Sequence, residues 1–179
     1  MSTSVHQSRV RGFTLLEAMA TIAVLAILLG LGVPAFTNII RSNQIATVTN
    51  NLTSALNLAR SEAMKRGVRV SVCPANAAAT NCIDSSSWQS GLLVFSDDFG
   101  TAGVIDVGDE IIQVFRSPAE GVAVTAEDNA TSVTFLHTAA ALGSRSWRVE
   151  KAGCGKQQAR KVSVSAAGRI SLVREDCTT

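Results

Sequence analysis

Tyrosine is absent from this 179-residue chain, and phenylalanine and tryptophan keep aromatics at 4 %. That scarcity excludes a broad aromatic platform for stacking nucleic-acid bases. Histidine occurs only at positions 6 and 137, which excludes a histidine-built catalytic pair or metal cluster. None of the four cysteines, Cys73, Cys82, Cys154 and Cys177, stands in CxxC or CxxH spacing, so a zinc site is not indicated. There is no GxSxG and no glycine-rich phosphate loop opening a helix. Without a convergent acid, base or nucleophile the chain reads as a non-enzyme with no cofactor. No internal repeat is present. Charge is also locally missing: from Ala18 to Ile40 there is no Asp, Glu, Lys or Arg.

What is present begins with Arg11-Gly12-Phe13-Thr14-Leu15-Leu16-Glu17, followed by that apolar run to Ile40. The run is long enough to cross a bilayer as a helix. An ordinary secretory signal would have a shorter apolar region followed by a small-residue cleavage site. A carboxylate inside a spanning helix costs about 3 kcal/mol unless it is paired, and a plain signal anchor gains nothing from Glu17. The stretch resembles the class III signal sequence of type IV pilins and of type II secretion pseudopilins. The resemblance implies cleavage between Gly12 and Phe13 by a prepilin peptidase and N-methylation of Phe13. It also implies pairing of Glu17 with the amine of Phe13 in a neighbouring subunit. Residues 1–12, with His6, would be a removed leader, kept cytoplasmic by Arg9 and Arg11. Pro34 should kink or loosen the helix, a feature pilins share.

After Arg41 an apolar stripe at helical spacing runs through Ile45, Val48, Leu52, Ala55, Leu56, Ala59 and Ala63. It predicts an amphipathic half with one side against a domain, ended by Lys65-Arg66-Gly67. The segments Leu56–Arg66, Val68–Cys73, Trp88–Phe95 and Asp106–Glu110 resemble the GspH/FimT group of minor pilins and pseudopilins. β-Branched runs separated by turn residues predict strands at Arg69–Cys73, Leu92–Ser96, Ile111–Arg116, Val122–Thr125, Ser132–His137, Ser146–Lys151, Lys161–Ser165 and Arg169–Val173. The expected fold is α+β and pilin-like, a long N-terminal helix, membrane half plus amphipathic half, packed against an antiparallel β-sheet domain. The expected map is leader 1–12, transmembrane or filament-core half 13–40, amphipathic half 41–67, and a periplasmic β-rich domain 68–179. Trp88 and Trp147 are expected in the core, and His137 at a strand edge.

In an exported domain an even cysteine count reads as two disulfides. Three pairings are open; loop lengths favour Cys73–Cys82 and Cys154–Cys177, each worth about 3 kcal/mol. Charge is uneven. Residues 84–128 hold nine acids against Arg116 alone, and residues 145–179 hold eight cations against Glu150, Glu175 and Asp176. Opposite poles suggest head-to-tail docking or a basic face for a polyanion. The acids Asp97, Asp98, Asp106, Asp109 and Glu110 do not follow EF-hand spacing and read as a solvated turn. Lys151, Lys156, Arg160, Lys161, Arg169 and Arg174 are candidate DNA contacts. Some FimT-group members bind DNA through Gly-Arg-x-Arg; here Gly168 and Arg169 match, and Ser171 replaces the second arginine. The resemblance implies a membrane-anchored minor pilin or type II secretion pseudopilin. Its partners would be major and minor pilins or pseudopilins, the peptidase and an inner-membrane assembly platform, with double-stranded DNA a candidate.

Overall fold

The computed structural model describes residues 13–116 and 119–178, apart from the side chains of residues 31–35. The cleavage position at Gly12 and the proline effect at Pro34 therefore lie outside the description. The chain divides into two compact units, Met1–Thr37 and Asn38–Thr179, and one helix, α1 (Leu15–Arg66), runs through both. It starts two residues after Phe13 because Thr14 serves as its cap. At its other end Gly67, at φ 75°, donates its N–H to the Ala63 carbonyl (3.0 Å), the left-handed closure that glycine makes without strain.

In the second unit the predicted stripe is the buried one: Ile45, Val48, Leu52, Ala55, Leu56, Ala59 and Ala63. Thr49 is buried beside it and returns its hydroxyl to the Ile45 carbonyl at 2.7 Å, so no polar atom is stranded there. Each predicted strand is found among the described residues: β1 (Val70–Pro74), β2 (Gly91–Ser96), β3 (Ile111–Arg116), β4 (Val122–Ala126), β5 (Val133–Phe135), β6 (Arg145–Lys151), β7 (Ala159–Val164) and β8 (Ile170–Glu175). They form two antiparallel sheets, in the orders β3-β2-β1-β5 and β4-β6-β7-β8. A strand-to-strand twist of about 20° carries the outer strands of a wide sheet away from a single helix axis. Two narrow sheets keep contact. Val72 and Val94 from one and Val124, Val149 and Val162 from the other share the helix's core.

The two tryptophans join the sheets. Trp88, just before β2, and Trp147, on β6, meet edge-on with centroids 4.9 Å apart, a contact worth about 1 kcal/mol beyond burial. Trp88 donates Nε1–H to the Ala130 carbonyl at 2.9 Å. The disulfides pair as loop length favoured. Cys73–Cys82 has Cα atoms 5.6 Å apart, and Cys154–Cys177, at 6.0 Å, ties the loop after β6 to the tail after β8.

A smaller core of Cys73, Ala75, Leu93 and Phe95 lies on the other face of the first sheet. The loop between β2 and β3 is anchored beside it by a fully buried carboxylate. Asp97 Oδ2 accepts from Ser71 Oγ (2.5 Å) and from the Gly103 N–H (2.7 Å); Ser71 Oγ is also 2.5 Å from Thr134 Oγ1. The Arg69 guanidinium stands 3.5 Å from Oδ1. Burial pushes the Asp97 carboxyl above its ordinary 3.8, against the opposing pull of Ser71, Gly103 and Arg69.

Truncating Leu52→Ala should cost about 2–5 kcal/mol, since its stripe position cannot collapse against three layers; urea unfolding of the globular unit measures it. For Asp97, the folded state holds the proton more tightly than the unfolded chain. Its contribution therefore falls as pH rises from 3.8 through the raised value. D97N removes that titration. The stability difference, variant minus wild type, should grow with pH across that window and level off above it. A pH-independent difference in urea midpoints would contradict this.

Candidate functional site

The first candidate surface is the start of α1. Thr14 Oγ1 accepts the Glu17 N–H at 3.2 Å and the Thr14 carbonyl accepts from Ala18 at 3.1 Å. Thr14-Leu15-Leu16-Glu17 has the T-x-x-E spacing of a helix-start capping box, a signal legible in the sequence but not drawn from it. The Glu17 carboxylate itself is exposed and has no side-chain partner among the described residues. Around it Phe13, Leu15, Leu16, Met19, Ile22, Val24 and Leu25 are all exposed, Leu15 at 80 %. Glu17, Ala20, Thr21, Val24, Leu25 and Leu28 line one shallow strip along the helix. A lone carboxylate on a bare apolar cylinder can bind a cation and pack against other apolar helices. Among the described residues no helix is long and apolar enough to cross a membrane; the undescribed side chains 31–35 fall inside the apolar run.

The six candidate DNA contacts do not form one face. Register puts Arg160 and Arg174 opposite each other, on the side of β7 and β8 that also carries Val162 and Val164. Arg160 is buried and donates to the carbonyls of Gln157, Gln158 and Ala159. Burial, then the nearby Arg174 charge, push its pKa down. Lys161 is on the opposite side and meets Glu127 at 2.5 Å. That contact is the main reason the Glu127 carboxyl is held below its ordinary range. Lys151 donates to the Glu120 carbonyl at 2.8 Å. Lys156, Arg169 and Arg174 are exposed without a side-chain partner among the described residues. Arg169 lies on the β7–β8 turn and Arg174 near the far end of β8, about 16 Å along the strand.

Sequence reasoning missed the network that consumes these charges. Arg148 bridges Glu127 (3.4 Å) and Glu175 (2.7 Å), and Arg145 pairs with Asp128 at 3.3 Å. Glu127 and Asp128 had been counted with the acidic segment, but β4 delivers them to the basic sheet. In the β2–β3 loop, Asp106 accepts from Thr101 N–H, and Asp109 from the N–H groups of Asp98, Phe99 and Asp106. These carboxylates brace the loop. Among the described residues no group of three or more His, Cys, Asp or Glu could hold a metal ion. His137 is exposed in the turn after β5, which ends at Phe135, not at the predicted strand edge. The Leu136 N–H reaches the Ala140 carbonyl at 2.7 Å and closes that turn.

The model of the family described as type II transport protein GspH matches residues 48–168. The prokaryotic N-terminal methylation motif matches residues 7–33. No curated protein sequence matches the chain. Among solved structures, the type IV minor pilin FimU of Pseudomonas aeruginosa is similar in two crystal forms. One is 21 % identical with a TM-score of 0.57, covering 73 % of this chain and 88 % of FimU. The other is 20 % identical with a TM-score of 0.54, covering 71 % and 90 %. At that identity the likeness shows the fold, a long helix under antiparallel sheets. The matched family model takes in the helix from Val48 onward and strands β1 to β7, more than half of the chain, and the chain belongs to the GspH family of pilin-like proteins.

Proposed function

We propose that the chain is a minor subunit of a type IV pilus, taking part in filament assembly or its initiation. The observation that carries this is the contrast within α1. Its second half buries one apolar stripe under its own sheets, whereas the described side chains of its first half are mostly apolar and exposed, with one carboxylate that has no side-chain partner among the described residues. Such a surface needs lipid first and other helices later. In this reading the leader 1–12 is cut after Gly12 and Phe13 is N-methylated. Residues 13–40 anchor the subunit in the inner membrane and then enter the filament core. Residues 41–179 form the periplasmic part. The platform and its ATPase supply the work, and the subunit's role is structural. The description of the matched family supports a second reading, an H-type pseudopilin of a type II secretion system, built on the same assembly chemistry.

Neutralising the carboxylate with E17Q should leave leader cleavage intact and lower incorporation into sheared filaments by about ten-fold or more, since an intramembrane pair is worth 1–2 kcal/mol or above. Unchanged incorporation would sink the pairing role. Duplex DNA capture, if this subunit performs it, rests on Lys156, Arg169 and Arg174. Three phosphate contacts give a slope of log K against log salt of about −3 at most. K156A/R169A/R174A should abolish binding in a fluorescence titration; retained affinity would remove these residues from any such role.

A further inference from the structure

The second sheet ends at β8 on an open edge. β8 has β7 on one side and, among the described residues, no strand or bridge on the other. By contrast the outer edge of β4 is covered by residues 86–88, and that of β5 by Leu142. The Ser165 N–H reaches the Arg169 carbonyl at 3.0 Å, so residues 169, 171, 173 and 175 turn their backbone groups toward β7. Alternation then leaves the N–H and C=O groups of Ile170, Leu172 and Arg174 facing outward. Leu172 is 49 % and Val173 55 % exposed. An open edge carrying exposed apolar side chains is a site for an added strand.

Each face of this edge carries one cation without an ion-pair partner among the described residues. On the outer face Ser146, Ser163 and Ser171 stand in one row across β6, β7 and β8. They line a groove of about 360 Å³ with Arg169 at its rim. The other cations of the groove are engaged, Lys161 by Glu127 and Arg145 by Asp128. Arg169 is exposed and meets no carboxylate among the described residues. Beside it the Ser165 hydroxyl accepts the Arg169 N–H at 3.2 Å, which leaves its own proton to donate. The hydroxyls of Ser163 and Ser171 have no partner among the described residues. A guanidinium over free hydroxyl donors is suited to a carboxylate. On the opposite face Arg174 is exposed next to Leu172, and across from it the buried Arg160 adds positive charge.

We propose that β8 receives an extended segment of a partner protein as a fifth strand, with one carboxylate over Ser171 against Arg169 and a second opposite Arg174. Main-chain bonds to the open edge supply affinity, and the two arginines select the sequence. Positions 171 and 174 are three residues apart and lie on opposite faces. The segment therefore reads acid–apolar–apolar–acid in either direction of pairing, its apolar residues opposite Leu172 and Val173. In this chain the one pair of acids three residues apart is Asp106 and Asp109. Val107 and Gly108 lie between them, and both acids brace the β2–β3 loop. The partner is thus a different protein and not a second copy. A long polyanion is also unsuited, because Glu127 and Glu175 share the outer face with Arg169 and the second arginine is on the other face.

The test uses the full-length chain in detergent micelles and a fluorescein-labelled, end-capped peptide, Thr-Val-Glu-Val-Val-Glu-Val-Thr, followed by anisotropy. Saturable binding is expected. Exchanging both glutamates of the peptide for glutamine, or introducing R169A/R174A in the protein, should weaken it about ten-fold. A peptide with lysine in place of both glutamates should bind R169E/R174E and not the wild-type chain. N-methylating the two central valines removes backbone donors and should abolish binding to the unaltered protein. No saturable binding, equal binding of the glutamine peptide, or undiminished binding of the N-methylated peptide overturns the proposal. So does duplex DNA that binds through Arg169 and Arg174 while the peptide does not, because the edge would then serve phosphates. The site stands apart from the assembly reading: E17Q should leave peptide binding unchanged, so the two fail separately.

Discussion

The burial of one stripe of α1 is the constraint on which the second unit depends. Alanines at 55, 59 and 63 let β-sheet side chains approach the helix closely, while Ile45, Leu52 and Leu56 supply the apolar area. Two sheets meeting at the Trp88–Trp147 contact cover the stripe. The disulfides then hold the parts the helix does not reach: the 73–82 loop over the outer face of the first sheet, and the tail beyond β8. The stripe sets the architecture, and the covalent ties secure its margins.

The same helix shows what happens where that constraint is absent. Before residue 38 the described side chains are mostly apolar and exposed, with Glu17 among them. A capping threonine stabilises the helix start locally, so the carboxylate is not consumed in closing the helix; only its backbone N–H is. That leaves its charge for an external partner. The chemistry of the first turn and the function assigned to it are therefore compatible without competition.

Much of this was legible in the sequence. Helical spacing named every residue of the buried stripe, and β-branched runs located each strand to within two or three residues, since both signals arise from local side-chain direction. What was not legible was non-local. Nothing in β4 announces that it leaves β3 and pairs with β6, so the division of the β domain into two sheets is not written in any one strand. For the same reason Glu127 and Asp128 were assigned to an acidic pole, whereas the fold brings them against Lys161, Arg148 and Arg145. Asp97 looked like a loop acid, but β1 supplies Ser71 and β5 supplies Thr134 to enclose it. Its burial depends on three distant segments, and no local pattern encodes that.

Cross-pairing also changes what the charge pattern means. Counted along the chain, the two segments look like broad poles able to attract any polyion. Once the ion pairs of the second sheet are removed, fewer solvent-facing charges remain, and some of them, such as Asp98 beside Phe99 and Arg174 beside Val173, adjoin exposed apolar residues. A diffuse pole steers partners at long range and is weakened by salt. A small charged rim around apolar side chains instead favours a defined contact, in which burial supplies affinity and charge selects the orientation. Asp98 and Arg174 are of the second kind. The surface is therefore better suited to recognising a shaped neighbour than to gripping a long, uniformly charged polymer.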